Sequence, residues 1–168
     1  LASPNSKIML HYANPNEADW FFQYVRQQAI NYDIIGVSYY PFWHGNSLTQ
    51  TQLAIQKLAT DNQKPVVIAE TAYPFSSGWN DWTNNVVGSS ATLVPNMPAS
   101  SEGQRLFIAE LKQGLHTTGI SKAQGLCYWA GDYIAFRGAQ AANGSTWENL
   151  ALFDFQNNNL PALDELGK

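Results

Sequence analysis

The chain of 168 residues is 45% hydrophobic, which is enough for one globular unit, residues 1–168, with its own core. Charged residues are only 13% and the net charge is −4, with no cluster of Lys or Arg. Nucleic acid and anionic membrane surfaces are therefore excluded as expected partners, and no apolar run approaches the ~20 residues of a bilayer span.

The first apolar run, residues 8–12, predicts a strand that closes on His11. Asn16 is placed to cap a helix with Glu17 and Asp19 in its first turn and Trp20, Phe21, Tyr24 and Val25 on one broad face. A second strand spans 34–39. Asp33 stands at its start, away from the mouth, and reads as structural. The strand runs out into Tyr39-Tyr40-Pro41-Phe42-Trp43-His44-Gly45, where a Tyr hydroxyl could meet a neighbouring carboxylate and Trp43 with His44 could line a sugar. Which of Tyr39 and Tyr40 points inward is left open. Ser47 or Thr49 opens the next helix, which carries Leu48, Ile55, Leu58 and Ala59 at helical spacing.

The third strand, 66–69, runs without interruption into Glu70 and then Tyr73-Pro74. An unbroken apolar strand of this kind is covered on both faces, and folds built from such strands keep their chemistry at the C-terminal strand ends. A carboxylate there is either paired or used, so Glu70 is the leading catalytic candidate. Residues 71–100 show little periodicity and include Trp79 and Trp82; loops this long in compact domains usually build binding surface. Ser101 and Gln104 match a capping box at the start of a helix bearing Phe107, Ile108, Leu111 and Leu115, with Gly119 at its end.

The last strand, 125–129, contains the only cysteine, Cys127, read as inert core, and ends in Trp129, which reads either as a stacking platform for a pyranose face or as a buried core tryptophan. Asp132 reads as a turn aspartate and Glu148 as C-terminal packing. His11, His44 and His116 show no metal-binding spacing. Asn143-Gly144-Ser145 matches the N-glycosylation pattern, a frequent chance occurrence.

Strand, helix, strand at a period near thirty residues is the β/α unit, whose right-handed crossovers wind into a parallel sheet or barrel. A complete (β/α)₈ barrel needs roughly 250 residues, so the expectation here is α/β of parallel barrel type, with four units making about half a barrel. Half a barrel leaves two sheet edges and an apolar inner face to be covered. The expected cover is an N-terminal half-barrel or a second copy of the chain.

The segments DIIGVSYYPFWHG, KPVVIAETAYPF, the SEGQ helix opening, GLCYWAG and WENLALFDFQNNNLPAL resemble the second half of the arabinogalactan endo-β-1,4-galactanases, glycoside hydrolase family 53. The resemblance implies a retaining (β/α)₈-barrel hydrolase of β-1,4-galactan or arabinogalactan, with the four strands here as its fifth to eighth. It implies Glu70 as nucleophile, Trp129 beside the scissile sugar, and Tyr39, Tyr40, Trp43 and His44 at the substrate wall; Tyr73 and His11, at the ends of their strands, are further substrate-binding candidates. The family's acid/base is a glutamate in an Asn-Glu pair ending the fourth strand, and no pair here matches it; Asn16-Glu17 opens a helix instead. Bacterial relatives often bind calcium after the seventh strand, but that loop here, residues 78–85, holds one acid, Asp81, so no metal or cofactor is expected. The alternative expectation is a non-catalytic galactan- or oligosaccharide-binding module, or an inactive fragment. A low-charge surface rich in Asn, Gln, Ser and Thr fits a secreted, extracellular or periplasmic protein.

Overall fold

Alternation of buried and open positions along the third strand organises the sheet, and that strand lies between two others. The computed structural model describes residues 3, 5–116 and 125–168. Its elements run β1 (Met9–Tyr12), α1 (Asp19–Gln27), β2 (Ile34–Ser38), α2 (Pro41–His44), α3 (Leu48–Asn62), β3 (Val66–Thr71), α4 (Ser101–His116) and β4 (Leu126–Tyr128). A 3₁₀ turn (Glu148–Leu150) and α5 (Pro161–Leu166) follow. The sheet order is β1-β2-β3-β4, with β1–β2 and β2–β3 parallel. All four strands expected from the sequence are present. The expected helix end at Gly119 lies outside the described residues.

The chain divides into two compact units, one of residues 1–39, 48–71 and 112–127, the other of residues 40–47, 72–111 and 128–168. In the first, Ile35, Val37, Val66 and Ile68 have no exposed surface. They share one sheet face, because register partners Ile35↔Val66 and Val37↔Ile68 stand side by side. Phe22 and Val25 of α1 and Ile55, Leu58 and Ala59 of α3 are also buried in this unit. Each large aliphatic side chain removed from water in this way contributes about 1.5–3 kcal/mol.

Helix α1 departs from the sequence reading. Its N-cap is Ala18, without a side-chain cap; Asn16 instead lies in a turn where its N–H donates to Asn14 Oδ1 (3.0 Å) and its amide to Thr51 Oγ1 (3.3 Å). Trp20 and Tyr24 are exposed, at 61% and 54%, whereas Ala18, Phe22 and Val25 form the buried stripe. Three adjacent aromatics, Trp20, Phe21 and Phe22, cover most of the helix circumference, so periodicity alone selected the wrong face.

Helix α4 begins at Ser101 as expected, but its cap lies one residue earlier. Ser100, not Ser101, caps it, with Ser100 Oγ accepting from Gly103 N (3.0 Å). A Cβ at Gly103 would stand 2.0 Å from the Pro98 carbonyl oxygen, so only glycine fits this first turn. Phe107, Ile108, Leu111 and Leu115 are all buried as the spacing predicts. Cys127, expected in the core, is exposed; β4 is short, and its Leu126 and Tyr128 take the more buried face.

Candidate functional site

In the first unit, register fixes which side chains share a face. Met9 pairs with Ile34 and His11 with Gly36, while Gly36 pairs with Val67 and Ser38 with Glu70. Met9, His11, Ile34, Gly36, Ser38, Val67 and Glu70 therefore line the face opposite Ile35, Val37, Val66 and Ile68. Strict alternation from Val66 and Ile68 would send Glu70 to that second, buried face. It does not go there, because the register jumps from Val37↔Ile68 to Ser38↔Glu70, leaving Ala69 as an extra residue in β3. This bulge turns Glu70 onto the open face, where it is half-buried.

Beside it, His11 Nε2 and Ser38 Oγ form a 2.8 Å hydrogen bond. His11 is exposed and Ser38 is only 3% exposed. The bare backbone of Gly36 makes room for their neighbours: a Cβ there would lie 2.7 Å from Met9 Sδ and 3.5 Å from His11 Cβ. The strand ends are tied by Tyr39 N to the Glu70 carbonyl (2.9 Å) and by Thr71 Oγ1 to the Tyr39 carbonyl (2.7 Å).

Tyr39 itself has no exposed surface. One residue beyond Ser38, it turns to the opposite face, where burial pushes its phenol pKa up and the Thr51 hydroxyl acts the other way. It is a core residue, not part of a substrate wall. At the other end of the sheet Asp33 is structural, as expected. Its Oδ2 accepts from Ile8 N at 2.8 Å, and that bond, with Lys7 nearby, holds its carboxyl below the usual range.

In the second unit, Pro41 opens α2 and Gly45, at φ 96°, ends it. This single turn presents an aromatic cluster: the Tyr40 ring lies 5.2 Å from Trp43, 5.7 Å from Phe42 and 5.9 Å from both His44 and Trp147. Trp43 meets Trp147 edge to face at 6.0 Å. Tyr40 is nearly buried, Trp43 is 55% exposed and Trp129 is 42% exposed. Tyr40 N donates to His44 Nδ1 (3.2 Å), so the neutral ring carries its proton on Nε2. Trp147 was not singled out from the sequence, and only its aromatic type could have drawn attention to it.

Tyr73, a substrate-binding candidate from the sequence, is wholly buried. It stacks on Phe107 at 4.4 Å, donates to the Met97 carbonyl (2.5 Å) and accepts from Val94 N (3.1 Å). Its role is to hold the long loop. Gln104 reinforces that role: its Nε2 lies 3.0 Å from the Tyr73 carbonyl, 3.0 Å from Tyr128 Oη and 2.9 Å from the Ala151 carbonyl. Tyr128 Oη accepts from Tyr73 N (3.0 Å) and donates to the Leu150 carbonyl (2.8 Å). Burial pushes the Tyr128 pKa up.

Glu148 and Asn149 secure the same loop. Glu148 Oε1 accepts from Asn80 N (2.6 Å) and Asp81 N (3.3 Å), and Asn149 Nδ2 donates to the Ser76 and Val87 carbonyls (2.9 and 2.8 Å). Asp81 is used within the loop, Oδ1 accepting from Thr83 N (2.6 Å) and Oδ2 from Ser145 N (3.4 Å). Among the described residues, no group of three His, Cys, Asp or Glu could hold a metal. Among the described residues, no helix is long and apolar enough to cross a membrane.

Comparison with known proteins places this architecture. The chain is 39% identical over 160 residues to an arabinogalactan endo-beta-1,4-galactanase of Cellvibrio japonicus, covering 93% of this chain and 42% of that protein. An endo-beta-1,4-galactanase of Bacillus subtilis is 27% identical, with 95% and 44% covered. Among solved structures, an Ignisphaera aggregans GH53 catalytic domain superposes with TM-score 0.86 at 33% identity, covering 98% of this chain and 47% of that one. A thermostable xylanase mutant from Cellvibrio japonicus shares the fold alone, with TM-score 0.60 at 13% identity over 98% of this chain and 49% of that one. The chain spans about half the length of these relatives, and its fold is of the parallel β/α-barrel type, about half a barrel in extent. The model of Glycosyl hydrolase family 53 matches residues 2–166, and the chain belongs to that family.

Proposed function

We propose that this chain carries the nucleophile half of a retaining endo-β-1,4-galactanase, with Glu70 as the nucleophile. The observation that supports the reading is the bulge at Ala69, which aims Glu70 at the open face beside Ser38 and His11. In the reaction a Glu70 carboxylate oxygen attacks the anomeric carbon. The glycosidic C–O bond breaks, and its oxygen leaves with a proton from a second carboxylic acid. Water, deprotonated by that same group, then cleaves the glycosyl ester and restores Glu70.

Retaining enzymes hold their two carboxyls about 5–5.5 Å apart. The acid/base is then a glutamate outside these residues, supplied by the other half of the barrel. Exposed Trp43 and Trp129 offer indole faces to the C–H faces of galactose rings. His44, on the same turn as Trp43, lines the sugar with it. β-1,4-Galactan or its arabinogalactan form is the substrate, and release of the protein from the cell suits a polymer of that size.

The test is reducing-end release from β-1,4-galactan by the full-length protein and by Glu70→Gln. Turnover that disappears in the variant, with galactan affinity retained, supports the reading. Equal turnover by both forms contradicts it. Affinity without turnover in either form identifies a binding module instead.

A further inference from the structure

We propose that the ends of α1 and α3, with the loops that follow them, form a second binding site, for a carboxylate carried on a molecule about the size of one sugar ring. They bound a cavity of about 230 Å³ whose polar lining is Arg26, Asn31, Tyr32, Asn62 and Lys64. Two cations line it and no acid does. The volume lies below the ~300–1,000 Å³ of pockets for drug-sized ligands, so the occupant is small. Tyr32 and Lys64 precede β2 and β3, whereas Glu70 lies at the far end of β3. The cavity therefore stands at the other end of the sheet, roughly 20 Å from Glu70 at ~3.3 Å per strand residue.

Arg26 is already held in place. Both Nη1 protons are used, one on the Asp61 carbonyl (3.3 Å) and one on Asn62 Oδ1 (2.8 Å), and Asn62 Nδ2 is fixed in turn on the Leu58 carbonyl (2.8 Å). The Nε–Nη2 edge of the guanidinium, a fork that matches a planar carboxylate, has no partner among the described residues. Lys64 extends over the buried Tyr32 ring, with Nζ 5.4 Å from the centroid. It too has no ion pair among the described residues. The acids closest in sequence are committed elsewhere: Asp33 to Ile8 N and Lys7, and Asp61 to Lys57. Asp33 feels the charge of Lys64, yet makes no bond to it. A favourable seat at the C-terminus of α3 explains the Nη1 contacts of Arg26. It leaves its other edge and Lys64 without a use. Two cations around one cavity repel each other, and an anion between them turns that repulsion into attraction. The Asn31 amide beside them is a partner for ring hydroxyls.

The experiment is calorimetric titration of the full-length protein, at low ionic strength, with galacturonate and with galactose, a pair that differs by the carboxylate. Galacturonate is expected to bind with a Kd below about 10 mM, and galactose at least ~10-fold more weakly. Arg26→Gln is expected to weaken galacturonate by about 10–100-fold. Lys64→Met, which keeps the stem over Tyr32, is expected to weaken it by about 3–10-fold, and it decides the matter should Arg26→Gln fail to fold. Glu70→Gln binds galacturonate as the parent does. A galacturonate trimer that binds no more tightly than the monomer identifies a free acid as the ligand, and a tighter trimer identifies a uronate within a chain; both results keep the site. No saturable galacturonate binding by the parent, an affinity unchanged in both Arg26→Gln and Lys64→Met, or an affinity lost in Glu70→Gln overturns the proposal.

Discussion

Ser38 stands opposite Glu70 because one residue too many, Ala69, is inserted in β3. Carboxylates do not belong on a face shared with Ile68 and Val66, where an unpaired charge costs several kcal/mol, and the bulge avoids this while directing Glu70 to the open face.

Inserting one alanine between Ala69 and Glu70 places that alanine opposite Ser38 and, by alternation, carries Glu70 to the buried side. The expected outcome is that covalent labelling by a 2,4-dinitrophenyl 2-deoxy-2-fluoro-β-galactobioside falls by at least ~10²-fold, accompanied by a lowered melting temperature. Labelling at the parental rate in the insertion variant would show that the register of β3 does not direct the carboxylate.

Gln104 lies fully buried on the apolar stripe of α4 and bonds groups on three segments, Tyr73, Tyr128 and Ala151. Gln104→Leu keeps the volume but strands two buried carbonyls. A stability loss of about 2–4 kcal/mol is expected from that mechanism, measured by urea unfolding. A loss below about 0.5 kcal/mol, typical of surface positions, would contradict the assignment.

Glu148 gives a pH signature. Burial is the main cause that raises its pKa above the usual 4.5; the nearby Asp81 carboxylate adds to this, and the N–H groups of Asn80 and Asp81 oppose it. The folded state then holds the proton more tightly than the unfolded chain. The contribution of Glu148 to stability therefore falls as pH rises from the unfolded pKa through the folded one, and levels off above it. The Asn85 side chain also opposes the rise, and an amide at 148 removes the charge that burial penalises. Glu148→Gln is expected to flatten the fall in urea midpoint between pH 4 and 7 and to be at least as stable as the parent at the upper end. A parental pH slope in the variant would refute this.

Much of the fold was legible in the sequence because its strands are short apolar runs ended by turn residues, and the stripe of α4 has an unambiguous helical period. α1 was misread because Trp20, Phe21 and Phe22 surround the helix with aromatic surface. Within the candidate site, Glu70 was visible as a carboxylate after an apolar strand. Ser38 was not, since a serine inside a strand carries no signal until register places it beside Glu70. Tyr39 and Tyr73 were candidates for sugar contact because aromatic residues after a strand suit both sugar stacking and core packing, and only the facing of each ring separates these roles. Gln104 did have a signal, three and four residues before Phe107 and Ile108 on the same stripe, but its capping-box spacing from Ser101 suggested a different use.

The most direct test of the central claim is the identity of the residue that carries the sugar when the full-length protein is trapped with the fluorogalactobioside and digested. The account predicts one label, on the carboxylate of Glu70, in a peptide containing Val66 to Thr71. A label on any other residue, or active enzyme from which no glycosyl ester can be trapped, would contradict it.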